Sequence, residues 1–361
     1  MLQRNLTINL SMLGKNQTGL GVYALNCTAQ LTKRIKCRLI ASNDFNIDDA
    51  QLIKSPIDIT LGFSKYASLK RLYYSAFQFP VDNGLIYTPT HHGILGYKNQ
   101  VLTIHDLICI HHSEQHKLQY WYFKYVLPYL IKDCKALITV SQTTKMDICK
   151  YFKVSEDFVH VIPNAIHEKK IHLTKKNKSE EKYLLSVGAA YQHKNIHELL
   201  VNSDLWAHKY KLKVVSANGS YLDYLQNIVK EQNIEDKVQF YGYVSEEKLQ
   251  GFYCNCSALV YPSLWEGFGI PPLEAFGFGK PVILSNIPVF KEIFATSAIY
   301  IDIGNRISWE KAFRILEDKN IVKEKICQSK DILAKYNWEK NGNELLKLLI
   351  GIDPRLKTDL R

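Results

Sequence analysis

Along the chain, short runs of β-branched and apolar residues alternate with helical segments, the pattern of parallel sheets with helices on their faces. In the first half LTINLSML, IDITLGF, GLIYTPT, VLTIHDL, ALITVS and FVHVIPN read as strands; in the second, YLLSVGA, LKVVSAN, VQFYGYV, ALVYPS, PVILSN and AIYIDI do. About six strands per half predict an α/β protein of two doubly wound, Rossmann-like domains facing one another. The charge-dense HEKKIHLTKKNKSEEK, residues 167–182, has no apolar periodicity and reads as the linker. The expected layout is a first domain over 1–170, a second over 171–340, and a terminal helix and tail over 341–361. In YNWEKNGNELLKLLIGI, Trp338, Leu345, Leu346, Leu348 and Leu349 recur at roughly helical spacing, so this helix is expected to pack back on the body.

Composition narrows the class. A chain of 361 residues suits two domains, and 46% hydrophobic with 22% charged residues describes a globular protein. No apolar run reaches the roughly 18 to 20 residues of a membrane span. MLQRNLTINLSMLGKN lacks the apolar core and cleavage site of a signal peptide, so a cytoplasmic location is expected. The eight cysteines form no C-x-x-C pair; neither zinc nor disulfides are expected, and the thiols should be reduced and mostly buried. Residues 1–170 hold 20 Lys/Arg against 12 Asp/Glu, residues 171–361 hold 26 against 23, so the first half carries most of the +11. That excess reads as a solvated basic face or as attraction to an anionic membrane surface. No RNA-binding or helix-turn-helix motif is present, and nucleic acid is not expected as a partner.

The chemistry concentrates in YPSLWEGFGIPPLEAFGFGKPV, Tyr261 to Val282. ALVYPS is a strand, the glycines after it break the strand, and Pro271 and Pro272 suit the first turn of a helix. Glu266 is then in the loop and Glu274 in the opening helical turn. A helix N-terminus at the carboxyl end of a parallel strand favours an anionic ligand, while carboxylates accept hydrogen bonds from paired hydroxyls. Phosphate and sugar together suggest a nucleotide-sugar. Simple complementation of the helix dipole by the two glutamates is the bland alternative.

This segment resembles the E-x7-E signature of the retaining glycosyltransferases of family 4, which have the two-domain GT-B fold. The resemblance extends through TGLGVYALN, TIHDL, ITVSQTTKMDICKYF, VIPNAI, SVGAAYQHKN and FYGYVSEEKL, in that order, over nearly the whole chain. It implies that Glu274 binds the ribose hydroxyls of the donor, Glu266 the transferred sugar, and the backbone of Gly267, Phe268 and Gly269 the sugar and phosphate. Lys194 would meet the diphosphate, Gly19 and Gly21 would let backbone approach donor phosphate and acceptor, and His105 would lie near the donor sugar. Asp106 either orients the His105 ring or caps the segment that follows.

The sequence also departs from the family. Ala189 and His193 stand where many members carry an arginine, which leaves Lys194 as the expected permanent cation at the leaving diphosphate. Histidines 91, 92, 105, 111, 112 and 116 are unusually dense; His112 and His116 have helical zinc spacing but no acidic or cysteine companion, so acceptor contact is favoured over metal. No Asp-x-Asp occurs, and neither a divalent metal nor another cofactor is expected. The resemblance implies glycosyl transfer to a hydroxyl with retention, by front-face attack assisted by the leaving phosphate, in surface-polysaccharide assembly. GDP-mannose is the first donor expectation, with UDP-sugars beside it, and the acceptor is a glycan or lipid-linked glycan. A nucleotide-sugar-binding protein without transfer activity is the alternative; an oxidoreductase or epimerase would need a G-x-G-x-x-G that GKNQTGLGVY does not supply. HKLQYWYFKYVLPYLIKDCK interleaves Lys117, Lys124, Lys132 and Lys135 with Tyr120, Trp121, Tyr122, Phe123 and Tyr125, which suits either a peripheral membrane contact or an amphipathic helix with aromatics in the core.

Overall fold

The computed structural model describes residues 4–14, 19–42, 51–60, 66–166 and 181–361. The chain divides into two compact units, Met1–Asn164 with Trp338–Arg361, and Ala165–Asn337. Residues 167–180 of the expected linker lie outside the described residues.

The first unit is built on a parallel sheet in the order β3-β2-β1-β4-β5-β6-β7. Its strands are β1 (Leu6–Leu10), β2 (Arg38–Ala41), β3 (Gln51–Lys54), β4 (Leu85–Thr88), β5 (Gln100–Thr103), β6 (Cys134–Thr139) and β7 (Val159–Val161). All five positions of β1 are buried, as both faces of a covered parallel sheet require. Five expected strands are present. The sixth, IDITLGF, is not a strand where it is described: Ile57–Ile59 forms a 3-10 turn led by Pro56, whose ring removes a ladder donor. Its place is taken by β2 and β3, four residues each, with β3 half-exposed at the sheet edge.

The second unit has a parallel sheet in the order β10-β9-β8-β11-β12-β13. The strands are β8 (Tyr183–Val187), β9 (Lys211–Val215), β10 (Val238–Tyr241), β11 (Ala258–Tyr261), β12 (Val282–Ser285) and β13 (Ile299–Ile301), all at expected positions. Trp206 and Trp309 anchor its core with no exposed surface. Their indole N–H groups are satisfied by the Leu199 carbonyl at 2.9 Å and Glu198 Oε1 at 2.8 Å.

The terminal helix spans Trp338–Ile352 and buries Trp338, Asn341, Gly342, Leu345 and Leu349. It packs on the helix Gly19–Thr32 of the first unit. Asn341 Nδ2 donates to the Pro163 carbonyl at 2.8 Å, and Arg34 Nε donates to Asn343 Oδ1 at 2.6 Å. All eight cysteines are free and five of them are buried. Among the described residues, no helix is long and apolar enough to cross a membrane.

A Cβ on Gly342 would stand 2.5 Å from Gln30 Cβ, whereas one on Gly351 of the same helix meets nothing within 4 Å. Alanine improves helix propensity by up to about 1 kcal/mol at either position, but overpacking costs about 1 to 3 kcal/mol. Gly342→Ala is therefore expected to lower the urea midpoint and Gly351→Ala to leave it level or raise it. Equal stabilisation by both would show that the two helices are not in that contact.

Candidate active site

Order reverses in the second sheet between β8 and β11, so the loops leaving these adjacent strands diverge, the position at which parallel sheets bind ligands. The loop after β8 turns at Gly188, φ +84°, and closes with the 3-10 turn Gln192–Lys194. The Leu264 N–H, in the loop after β11, donates to the His193 carbonyl at 2.7 Å and ties the loops together. Lys194 Nζ lies 2.6 Å from Glu266 Oε1 and 3.1 Å from the hydroxyl of Tyr261, the last residue of β11. The Lys194 and Glu266 side chains are only 14% and 9% exposed. Burial alone would pull the lysine pKa down, but Glu266 and Tyr261 outweigh it and raise it above the ordinary value. Lys194 is thus a fixed cation, and its ammonium has a third N–H beyond the two so engaged.

The opening segment of the next helix, Ile270–Gly277, is fixed by Gly269, φ +110°, whose Cβ would stand 3.0 Å from the Phe290 ring and 3.1 Å from that of Phe294. Only glycine suits that turn. Glu274 was expected in the opening turn; because the helix begins at Ile270, it lies in the second. Glu274 Oε2 accepts from the Tyr253 hydroxyl at 2.8 Å. Burial first, then Glu274, holds the Tyr253 phenol well above its ordinary pKa; Tyr261 contributes as well, so the two polar pairs are within electrostatic reach. Gly267 and Phe268 are buried, and the Phe268 ring packs edge-on against Tyr336 at 5.1 Å. Its side chain is occupied in packing, which leaves the backbone as the part a ligand could meet.

In the first unit, Gly19 begins its helix exposed and Gly21, two residues on in the same turn, is buried. His105 follows β5, with Nε2 at 3.0 Å from the Pro89 carbonyl and its ring edge-on to Tyr23 at 4.7 Å. A carbonyl only accepts, so the ring proton is on Nε2 and Nδ1 presents a lone pair. Burial, partly opposed by that bond, lowers its pKa to about 4. Asp106 Oδ1 accepts from the Ile108 N–H at 2.9 Å, the capping arrangement. Two other histidines of the dense group, His91 and His92, follow β4 and are held neutral chiefly by burial, His91 at about 3. Sequence reasoning missed Tyr253, Tyr261 and Arg71, whose guanidinium stands beside His92. Tyr261 alone carried a signal, its place at the end of a strand leading into the glutamate loop.

Removing one partner of a buried ion pair leaves the other charge uncompensated, which costs about 3 kcal/mol or more. Lys194→Met and Glu266→Leu are each expected to destabilise by that order in urea unfolding, and the double variant by less than either. Strict additivity would show that the pair is uncoupled. A second expectation concerns acid. Between about pH 6.5 and 4 the unfolded chain protonates His91, His92 and His105 while the folded chain does not, so stability falls as pH is lowered through this window. Urea midpoints taken from about pH 7 to pH 5 should decline, with a smaller slope in His105→Asn; a flat profile would contradict the neutral buried imidazoles.

Comparison with known proteins places the chain in a family. The model described as Glycosyltransferase Family 4 matches residues 18–170, and that described as Glycosyl transferases group 1 matches residues 168–329. The O-antigen chain mannosyltransferase RfbU of Salmonella typhimurium is 32% identical over 357 residues, 95% of this chain and 98% of that one. The O-antigen chain mannosyltransferase B of Escherichia coli is 29% identical over 216 residues, 56% and 57% of the two chains. Among solved structures, sucrose-phosphate synthase from Thermosynechococcus elongatus superposes with a TM-score of 0.74 at 17% identity, over 96% of this chain and 98% of that one. Anabaena HepE in complex with UDP and glucose gives 0.72 at 14% identity, over 96% and 100%. With both halves matched and a relative aligned along almost its full length, the chain belongs to the group 1, family 4 glycosyltransferases.

Proposed function

We propose that the chain transfers mannose from GDP-mannose, with retention, to a hydroxyl of a lipid-linked glycan acceptor in O-antigen-type polysaccharide assembly at the cytoplasmic face of a membrane. The observation that carries the sugar is the alignment with an O-antigen chain mannosyltransferase along 98% of that relative. In this reading Glu274, held by Tyr253, accepts from the ribose hydroxyls, and Glu266 serves the mannosyl hydroxyls. Lys194 and the backbone amides of Gly267, Phe268 and Gly269 meet the diphosphate, with Gly19 and Gly21 giving close backbone approach. His105 serves as a neutral acceptor through Nδ1. The hard step is departure of the diphosphate as the sugar becomes oxocarbenium-like, and a fixed ammonium aimed at the developing charge lowers that barrier.

The test is a panel of nucleotide sugars, read first as a shift in melting temperature and then as transfer to a lipid-linked glycan. GDP-mannose is expected to stabilise most, and transfer to persist in EDTA, an expectation resting on the missing Asp-x-Asp. One charged hydrogen bond is worth about 1.5 to 3 kcal/mol, so Glu274→Ala should weaken donor binding roughly tenfold or more. Lys194→Ala should lower turnover more than binding. Stabilisation by a UDP-sugar alone would replace the donor, and a Lys194→Ala protein at parent turnover would remove the lysine from the leaving-group role.

The membrane part of the proposal has support in the helices Lys117–Tyr125 and Leu127–Asp133, which Pro128 separates where one amphipathic segment was expected. Their aromatics divide. Phe123 is buried and the Tyr122 hydroxyl bonds the His91 carbonyl at 3.0 Å, whereas Leu118, Trp121 and Tyr125 share an exposed face, the two rings stacked at 4.9 Å. Rings of this kind sit at headgroup depth, and each lysine near an anionic surface adds about 1 kcal/mol. Sedimentation with anionic liposomes at low salt should capture the protein, and Lys117→Glu with Lys124→Glu should release it. A protein that stays in the supernatant would make the acceptor a soluble molecule.

A further inference from the structure

At the order reversal of the first sheet, between β1 and β4, the chain forms a partly open pocket of about 280 Å³. Its apolar wall includes Leu20, Leu72, Leu118 and Val126, and its polar wall includes Asn9, Arg71 and His92. Lys194 and Glu266 belong to the other unit.

Most polar groups here already have partners. Asn9 Oδ1 accepts from the Ser11 hydroxyl at 2.7 Å and its amide reaches the Thr88 hydroxyl at 3.4 Å; the Tyr122 hydroxyl is bound to the His91 carbonyl. Arg71 and His92 are different. Arg71 Nη1 lies 3.3 Å from His92 Nε2, and a guanidinium only donates, so Nε2 accepts and the imidazole proton is on Nδ1. Both His92 Nδ1 and Arg71 Nε are then buried donors, and neither has an acceptor among the described residues. Among the described residues no carboxylate pairs with Arg71. A cation largely removed from water, with a neutral imidazole as its neighbour, is an expensive arrangement unless an anion completes it.

We propose that this cavity seats a phosphate ester, with Arg71 and His92 donating to its oxygens and its organic part lying along Leu20, Leu72, Leu118 and Val126. A phosphate suits the donors better than a carboxylate does. The guanidinium fork takes two oxygens, all that a carboxylate has, whereas a tetrahedral phosphate keeps another for His92 Nδ1–H. As a phosphate seat the site stands on its own; its assignment to the acceptor rests on the glycosyl-transfer reading.

The test uses the full chain and calorimetric titration with hexyl phosphate, hexanol, inorganic phosphate and glucose 1-phosphate. Hexyl phosphate is expected to bind at least about tenfold more tightly than hexanol or inorganic phosphate. Arg71→Gln should weaken it about tenfold or more, Arg71→Lys less, and Lys194→Met not at all. GDP binding should be the same in Arg71→Gln as in the parent, so loss of the phosphate site and failure of the nucleotide reading are read separately. Tightest binding by hexyl phosphate points to a lipid-borne phosphate; equal or tighter binding by glucose 1-phosphate keeps the seat and makes its source a soluble sugar phosphate. Hexyl phosphate binding no tighter than hexanol in the parent protein would overturn the proposal whatever the variants do, as would unchanged binding in folded Arg71→Gln.

Discussion

A cation moved out of water has to be answered by an anion or by dipoles, and in this chain that requirement arises at the order reversal of both sheets. In the second unit it is met within the protein. Lys194 reaches Glu266 and Tyr261, and because these residues come from the loop after β8, the loop after β11 and the end of β11 itself, the ion pair fixes the geometry of the strand ends. In the first unit, among the described residues, Arg71 is met by the neutral ring of His92 and by no carboxylate. The same topological place is thus self-complementary in one unit and electrostatically incomplete in the other.

Parallel sheets explain why the chemistry gathers there. All strands end on the same side, so loops from neighbouring strands bring side chains together that are far apart in sequence. Asn9 lies near the end of β1, and His91 and His105 follow β4 and β5; Lys194 and Glu266 follow β8 and β11. The histidines are neutral for the same reason that the sheets are stable. Burial that removes apolar surface from water also penalises the imidazolium, and Arg71 adds to the penalty for His91 and His92.

Legibility in the sequence followed the physics of each element. Strands buried on both faces, such as Leu6–Leu10 and Val282–Ser285, are rich in apolar and β-branched residues and could be read directly. The edge strand Gln51–Lys54 is short and half-exposed, so it carries little pattern; IDITLGF carries the pattern, but Pro56 and a 3-10 turn take its first residues out of the sheet. Glu266, Glu274 and Lys194 were legible because glycines and prolines around them constrain the backbone in a recognisable order. Tyr253 and Arg71 were not, since each acts through a partner far away in sequence, Glu274 and His92, and no local spacing records such a pairing.

The Lys194–Glu266 pair also bears on how the proposed transfer would proceed. An ammonium has three N–H groups, and two are engaged with Glu266 and Tyr261, so a diphosphate can be met without breaking the ion pair. A solvated lysine would first have to surrender water and rotamer freedom; this one has already done so, and its orientation needs no adjustment as charge develops on the leaving group. The pairing acts on Glu266 in the opposite sense. A carboxylate whose oxygen is held 2.6 Å from an ammonium is a poor nucleophile, because attack would require withdrawing electron density from that contact. On the proposed reading Glu266 is therefore suited to holding sugar hydroxyls through the oxygen that Lys194 leaves free.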